Sequence, residues 1–358
     1  MLALLSPRWD SVTLAATLKH LEDWDFFFAL IKRHRVFSLC ADRLLSVLSA
    51  FPGILPDQIP PLLHTRLRAN MLTGMRQIAE ARKLSALLED KGIPCAILKG
   101  APVSALAFGS PTLRDARDID ILVDTRDLDG AEACLTGAGL SLEKPTFRSQ
   151  FTRTLFRRYS HEYLFKTPTG ILVELKTRLH PTESLTPLTT AAALGRRQSI
   201  SILDQTLPVL AADDLLMYLC SHGARHCWFR LKWLADIAAL AAQIPEHALL
   251  AQLEAARKSG SEVPLLEGLL LSRDWLSYPL PPAIEDAARA HPLVTRRRSL
   301  LAPIVQNSDP HPFNSRHLQD ACDKAERLLR ADRRYRITVL ERHLMVRLRS
   351  SVFSRLTS

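Results

Sequence analysis

Two aspartates one residue apart, Asp118 and Asp120, are the residues in this chain whose type and spacing most directly suggest chemistry. Ile119 lies between them and Ile121-Leu122-Val123 follows, a β-branched and apolar run that reads as a strand. Side chains two apart on a strand share a face, so both carboxylates project together, with Ile119 and Ile121 on the other side. Adjacent carboxylates repel unless a cation sits between them. Mg²⁺ is the usual solution, since it takes hard oxygen ligands and keeps positions open for substrate phosphates. Upstream, Gly109-Ser110 is a flexible turn whose backbone amides could cradle a phosphate.

The elements that must position these groups follow from pattern. Met75 to Lys91 is an amphipathic helix ending at Gly92, a natural C-cap residue. Residues 93–98, IPCAIL, form a short buried strand, and Lys99-Gly100 follows it. Residues 101–108 form a short helix leading to Gly109, which places Lys99 at a strand end near the acids, where a cation could meet phosphate. Asp127 to Gly139 is the next helix, capped by Asp127 or Asp124. One or two strands are expected over 140–166, and the TPTG turn at 167–170 closes a hairpin onto GILVELKTRLH at 170–180. Glu174 there follows three apolar residues, on a strand able to neighbour the Asp-x-Asp strand. His180, six residues on, is expected in a surface or supporting role.

A Gly-Ser turn, a spacer and Asp-x-Asp opening a hydrophobic strand resemble the polymerase-β-type nucleotidyltransferase superfamily. The ILKG of 97–100 and Leu113-Arg114 narrow the resemblance to a bacterial branch, the uncharacterised nucleotidyltransferase family. A second, distant segment resembles the same family: Cys220, His222, His226, Trp228, Arg230, Leu231, Trp233, Leu234, Asp236 and Ile237. One departure is the spacer of seven residues between Ser110 and Asp118, shorter than in most of the superfamily. The resemblance implies Mg²⁺-dependent transfer of a nucleoside monophosphate from an NTP, ATP being the expected one, to a hydroxyl of a small molecule or peptide. Asp118 and Asp120 would hold the nucleotide-bound Mg²⁺ and share a second ion, completed by Glu174. Gly109 and Ser110 would hold the β- and γ-phosphates, with Lys99 and Arg114 as cationic helpers. Such transfer is mostly positioning and electrostatics, so no nucleophilic residue is needed.

At 358 residues the chain can bury a substantial core, and 47% hydrophobic with 23% charged residues describes an ordinary globular protein. No apolar run approaches the roughly eighteen residues of a membrane span, and Pro7 stops the apolar start before a signal peptide can form. Six cysteines without CxxC spacing read as reduced, mostly buried thiols, so a cytoplasmic location is expected. The expected architecture is α+β, a small mixed-sheet nucleotidyltransferase core between helical regions. Its divisions are a helical region at 1–74, the core at 75–185, a helical domain at 186–326 and a basic amphipathic tail at 327–358.

The flanking regions yield less. Residues 1–74 show helical periodicity broken by PGILPDQIPP, and His34 reads as a surface histidine of that lobe. From Asp213 to Gln243 a long apolar helical pattern returns. His222 and His226, four apart, could face a zinc ion, but Gly223 stands where an HExxH enzyme carries its glutamate, so a packed or nucleotide-facing polar cluster is favoured. Arg225 and Arg230 could contact phosphate or simply form surface salt bridges. Further helices are expected over 245–326, with Arg296-Arg297-Arg298 a solvated cluster.

The net charge of +10 sits mainly in the tail, where nine arginines against Asp332 and Glu341 give +7. Ile337, Leu340, Leu344 and Leu348 recur there at helical spacing, which favours docking on the body over an anionic membrane or RNA partner. Two other functions fit the residues less well. A haloacid-dehalogenase-type phosphatase is disfavoured because its acids follow the apolar strand. A non-catalytic nucleotidyltransferase-like module, recruiting RNA or membrane through the tail, is disfavoured by the presence of all three acids.

Overall fold

In the computed structural model, which describes residues 1–145, 150–306 and 316–354, the Asp-x-Asp strand occupies the centre of a seven-stranded mixed sheet. An N-terminal lobe of α1 (Ser11–Leu18), α2 (Trp24–His34) and α3 (Phe37–Ala50) leads into α4 (Ile59–Asp90). The core then runs β1 (Cys95–Ile97), α5 (Ala101–Phe108), β2 (Asp118–Val123), α6 (Leu128–Gly137), β3 (Ser141–Lys144), α7 (Gln150–Tyr159), β4 (Glu162–Lys166) and β5 (Leu172–Lys176). It closes with α8 (Thr190–Gly195), β6 (Gln198–Ile202) and β7 (Gln205–Val209). The C-terminal helices are α9 (Ala212–Arg225), α10 (Leu231–Ala241), α11 (Glu246–Ser259), α12 (Glu262–Leu276), α13 (Pro282–Ala290), α14 (Pro292–Gln306), α15 (Arg316–Arg327) and α16 (Arg333–Ser354). The strand order is β3-β4-β5-β2-β1-β7-β6.

The faces of the sheet follow the alternation of β2. Ile119, Ile121 and Val123 join one apolar core with Leu84 and Leu88 of α4 and Leu128 and Leu135 of α6. Leu122 joins the other, built with Val103 of α5 and apolar residues of α3, α9, α10 and α12. Strand alternation therefore sets Asp118 and Asp120 on the side of the N- and C-terminal helices. The TPTG turn closes the β4–β5 hairpin, with the Gly170 N–H donating to the Thr167 carbonyl at 2.9 Å. All six cysteines are free thiols.

Several expected boundaries move. The division at 74/75 falls inside α4, a single 32-residue helix. Gly74 is tolerated there because a Cβ would stand 3.2 Å from Thr112 Cγ2, so the loop before β2 rests where a side chain is missing. The helical domain expected from 186 begins with α8 and then the β6–β7 hairpin, and β7 pairs parallel to β1 and extends the sheet. Its two-residue turn, Leu203-Asp204, has positive φ at both positions but lacks the Asn-Gly or Asp-Gly signal that marks such turns. Helix α7 was also unforeseen. The long helix from Asp213 divides into α9 and α10 because Cys227 and Trp228 both take left-handed backbone, at φ 54° and 53°.

That break seats Trp228 in the core. Its indole N–H donates to Glu267 Oε2 at 2.8 Å. A Cβ on Gly223 would overlap its ring carbons, so glycine is required at the position after His222. Glu267 is answered by Arg297, which is fully buried rather than solvated and also donates to the Ala224 carbonyl. The tail does dock on the body, but not by the expected face. Tyr335, Val339 and Arg342 are buried, with Arg342 paired to Glu326 of α15, whereas Ile337, Leu340 and Leu344 are 45%, 52% and 57% exposed. The Leu348 side chain lies outside the described residues.

Candidate active site

Register brings the predicted acids together. β2 and β5 run parallel with Asp120 opposite Glu174 and Asp118 opposite Leu172. On the other side of β5, Glu162 of β4 stands opposite Lys176. Paired residues share a face, so Asp118, Asp120, Glu174, Glu162 and Lys176 converge on one surface of the sheet.

Two lysines organise these acids. Lys99 Nζ is 3.0 Å from Asp120 Oδ1. Lys176 Nζ is 3.3 Å from the same oxygen, 2.8 Å from Glu174 Oε2 and 2.6 Å from Glu162 Oε1. Burial alone would raise the Asp120 carboxyl, but both ammonium groups outweigh it and bring it down to about 2. Burial, reinforced by Asp120, Asp118 and Glu162 and only partly offset by Lys176, pushes Glu174 up to about 7. The contrast has a simple origin: Asp120 touches two ammonium groups, Glu174 one. Burial opposes charge on Lys176, but Glu162, Asp120 and Glu174 hold its pKa well above the usual lysine value.

The other predicted residues divide. Gly109 sits at the C-terminal end of α5 in left-handed conformation, its N–H already donating to the Ala105 carbonyl, and Ser110 follows it. Eight helical residues span about 12 Å. The Gly-Ser turn is therefore at the negative end of α5, while Lys99 and Gly100 lie at the positive end beside Asp120. Arg114 is buried and its Nε donates to Asp236 Oδ2 of α10 at 2.8 Å, so its charge is used to join the loop before β2 to the C-terminal helices. His222 and His226 stand with ring centroids 4.6 Å apart, and His226 stacks on Trp233 at 5.3 Å. Burial pushes both imidazoles well below the usual histidine value, as expected of packed neutral rings. His180 is buried, its Nδ1 accepting from the Thr182 N–H.

Sequence reasoning missed Glu162 and Lys176, yet the TPTG turn carried the signal. Once that turn fixes the hairpin, Glu162 must face Lys176, two residues beyond Glu174. It also missed His34 as a buried contact: its Nδ1 accepts from the Leu231 N–H at 3.2 Å, joining α2 to the start of α10.

The donor chemistry fits Mg²⁺. Asp118 and Asp120 offer hard oxygens on one face, and Asp118 is half-buried with no ion pair among the described residues. Among the described residues no three His, Cys, Asp or Glu side chains form a ready-made metal cage. Lys176 stands where Asp120 and Glu174 meet, the place a second ion would share.

No curated protein matches the chain. Two of the solved structures to which the chain is similar share little of its sequence. One is the solution structure of the antibiotic-resistance factor ANT(2'')-Ia, at 14% identity and TM-score 0.37, covering 51% of this chain and 92% of that one. The other is the crystal structure of an antigenic nucleotidyltransferase-like protein from Paracoccidioides brasiliensis, at 18% identity and TM-score 0.34, covering 60% and 92%. A family model described as "uncharacterised nucleotidyltransferase" matches residues 20–277, which span the whole sheet, both strands bearing the acids and the Trp228 segment, and the chain belongs to that family.

Proposed function

We propose that this protein transfers a nucleoside monophosphate from an NTP, with ATP the expected donor, to a hydroxyl of a small molecule or peptide and releases pyrophosphate. The observation that supports it is the placement of Asp118, Asp120 and Glu174 on one face of adjacent parallel strands, with Lys99 against Asp120. Asp118, Asp120 and Glu174 would hold Mg²⁺, which when bound lowers the pKa of the acceptor hydroxyl and offsets charge on the leaving pyrophosphate. The acceptor oxygen bonds to the α-phosphorus, the bond from that phosphorus to the bridging oxygen breaks, and pyrophosphate departs. Glu174, less tightly paired than Asp120, is the carboxylate available to receive the hydroxyl proton. Lys176 keeps Glu174 and Glu162 in place by ion pairing.

The start of α5 is the better anion-holding turn. Gly100 has φ 81°, and the N–H groups of Ala101 and Val103, on either side of Pro102, belong to the positive end of the helix. Gly109 and Ser110, at the far end, then serve to close α5: Ser104 Oγ donates to the Ser110 carbonyl at 2.6 Å.

The test is incubation of the purified chain with Mg²⁺, α-labelled NTPs and a panel of hydroxyl-bearing acceptors, scored by mass gain. Asp118→Asn serves as the inactive control. A wild-type protein that neither binds NTP with Mg²⁺ nor labels any acceptor removes the reading.

A further inference from the structure

Between the end of α2, α4 and the loop that leads into Asp118 lies a cleft of about 190 Å³ whose lining carries Lys32 and Arg35 from the end of α2, Arg66 of α4, and Arg117, the residue before Asp118. Arg230, at the N-cap of α10, is near enough for its charge to act on Arg35, Arg117 and Asp118. Four cations from three segments thus line one cleft, and a fifth, Arg230, acts on two of them and on Asp118.

Arg66 lies over the Phe37 ring at 4.6 Å and Arg230 over the Phe229 ring at 4.9 Å, but these contacts supply no formal counter-charge. Among the described residues no ion pair holds Lys32, Arg35, Arg66, Arg117 or Arg230. Asp115 is the one acid among the residues that line the cleft, and its oxygens are committed to α3: they accept from the backbone N–H groups of Phe37 at 2.9 Å and Ser38 at 3.3 Å, and from the Ser38 hydroxyl. Burial, with repulsion from Arg117, lowers the Arg35 guanidinium, and burial with repulsion from Arg35 and Arg117 pushes Arg230 down to about 10, each only partly offset by Asp118.

The geometry points to a polyphosphate subsite: Arg35 and Arg117, with Lys32 and Arg66 on the same cleft lining and Arg230 beside it, hold the β- and γ-phosphates of the NTP, so the N-terminal lobe is part of the nucleotide site. This inference rests on the proposed nucleotidyl transfer. A single phosphate would need only one or two of these groups. Several cations lining one cleft, together with Ala101 at the positive end of α5, suit a polyanion better than a single phosphate.

The experiment measures binding of inorganic tripolyphosphate, ATP and adenosine to the full chain by calorimetry at fixed ionic strength. Wild type, Arg35→Ala, Arg117→Ala and the control Arg257→Ala are compared. The subsite requires tripolyphosphate to bind wild type and the control alike, to bind each cleft variant at least tenfold more weakly, and to compete with ATP. Adenosine affinity should not move. Arg117 is exposed, so its variant keeps the test valid if Arg35→Ala does not fold, and Arg117→Lys should recover part of the affinity. Unchanged tripolyphosphate binding in Arg117→Ala, or an equal loss in the control, overturns the subsite. Tripolyphosphate binding that does not compete with ATP also overturns it, in favour of a phosphorylated acceptor. Tripolyphosphate captured by a protein that transfers no nucleotide would leave the subsite standing and remove the transferase reading; transfer with unchanged KM for NTP in Arg117→Ala would do the reverse.

Discussion

The Leu231 N–H donates to His34 Nδ1 at 3.2 Å across 197 residues of chain, and this one bond places the neighbouring Arg35 and Arg230 on the same side of Asp118. The bond requires a neutral acceptor nitrogen. Burial, with the charges of Arg33 and Arg230, pushes the imidazole down to about 4, so it is neutral at physiological pH.

A folded-state pKa below the unfolded value means that protons favour the unfolded chain. The stability from neutral His34 is therefore full above about pH 6.5 and is lost as pH falls toward 4. His34→Asn, which can still accept a hydrogen bond but does not titrate, should reduce the loss of stability between pH 7 and 5. Urea unfolding of both proteins at the two pH values measures it, and identical losses would contradict the assignment.

The two aspartates should respond differently to amidation. Asp118→Asn should abolish transfer with little change in melting temperature, since Asp118 is half-buried and outside any ion pair among the described residues. Asp120→Asn removes the partner of Lys99 and one partner of Lys176. It should abolish transfer and also cost about 3–5 kcal/mol of stability, as breaking buried pairs does. Denaturant titration beside the transfer assay checks both.

Glu174→Gln should reduce turnover more than it weakens NTP binding, because the residue is assigned to the acceptor side in the proposed reaction and Asp120 keeps both lysines. The comparison is single-turnover rate against NTP affinity. Lost affinity with unchanged turnover of bound nucleotide would move Glu174 out of its assigned role.

Gly223→Ala should destabilise the protein by about 1–3 kcal/mol or more, since the new methyl overlaps the buried Trp228 ring. Loss of the Trp228–Glu267 hydrogen bond would accompany it and should shift tryptophan emission. A variant of wild-type stability would mean that the ring has another place to go.

The tail can be divided by face. Replacing Ile337, Leu340 and Leu344 together with serine should leave the melting temperature nearly unchanged, because all three are exposed. Truncation after Arg330 should lower it, because it removes buried Tyr335 and Val339 and leaves Glu326 without Arg342 and His343. If truncation left melting unchanged but abolished a salt-sensitive binding to RNA or anionic vesicles, the tail would be a recruitment element instead.

The sequence by itself determined the local elements and the acids. Two-residue alternation set Asp118 and Asp120 on one face, the Lys91-Gly92 stop ended α4, and the TPTG turn paired the strand of Glu174 with its neighbour. These depend on contacts within a few residues, which composition and periodicity record directly. Tertiary structure alone decided which charges answer which. Arg114 and Arg297 read as free cations in the chain but are consumed by Asp236 and Glu267, while Arg35, in a lobe with no recognisable chemistry, joins Arg117 and Arg230 around Asp118. The tail shows the same division. Helical spacing located an apolar stripe, but a helix of this kind has two usable faces, and burial went to Tyr335, Val339 and Arg342 because Glu326 on α15 offered the arginine a counter-charge. A charge acts through space on partners a hundred or more residues away, and only the folded chain establishes who those partners are.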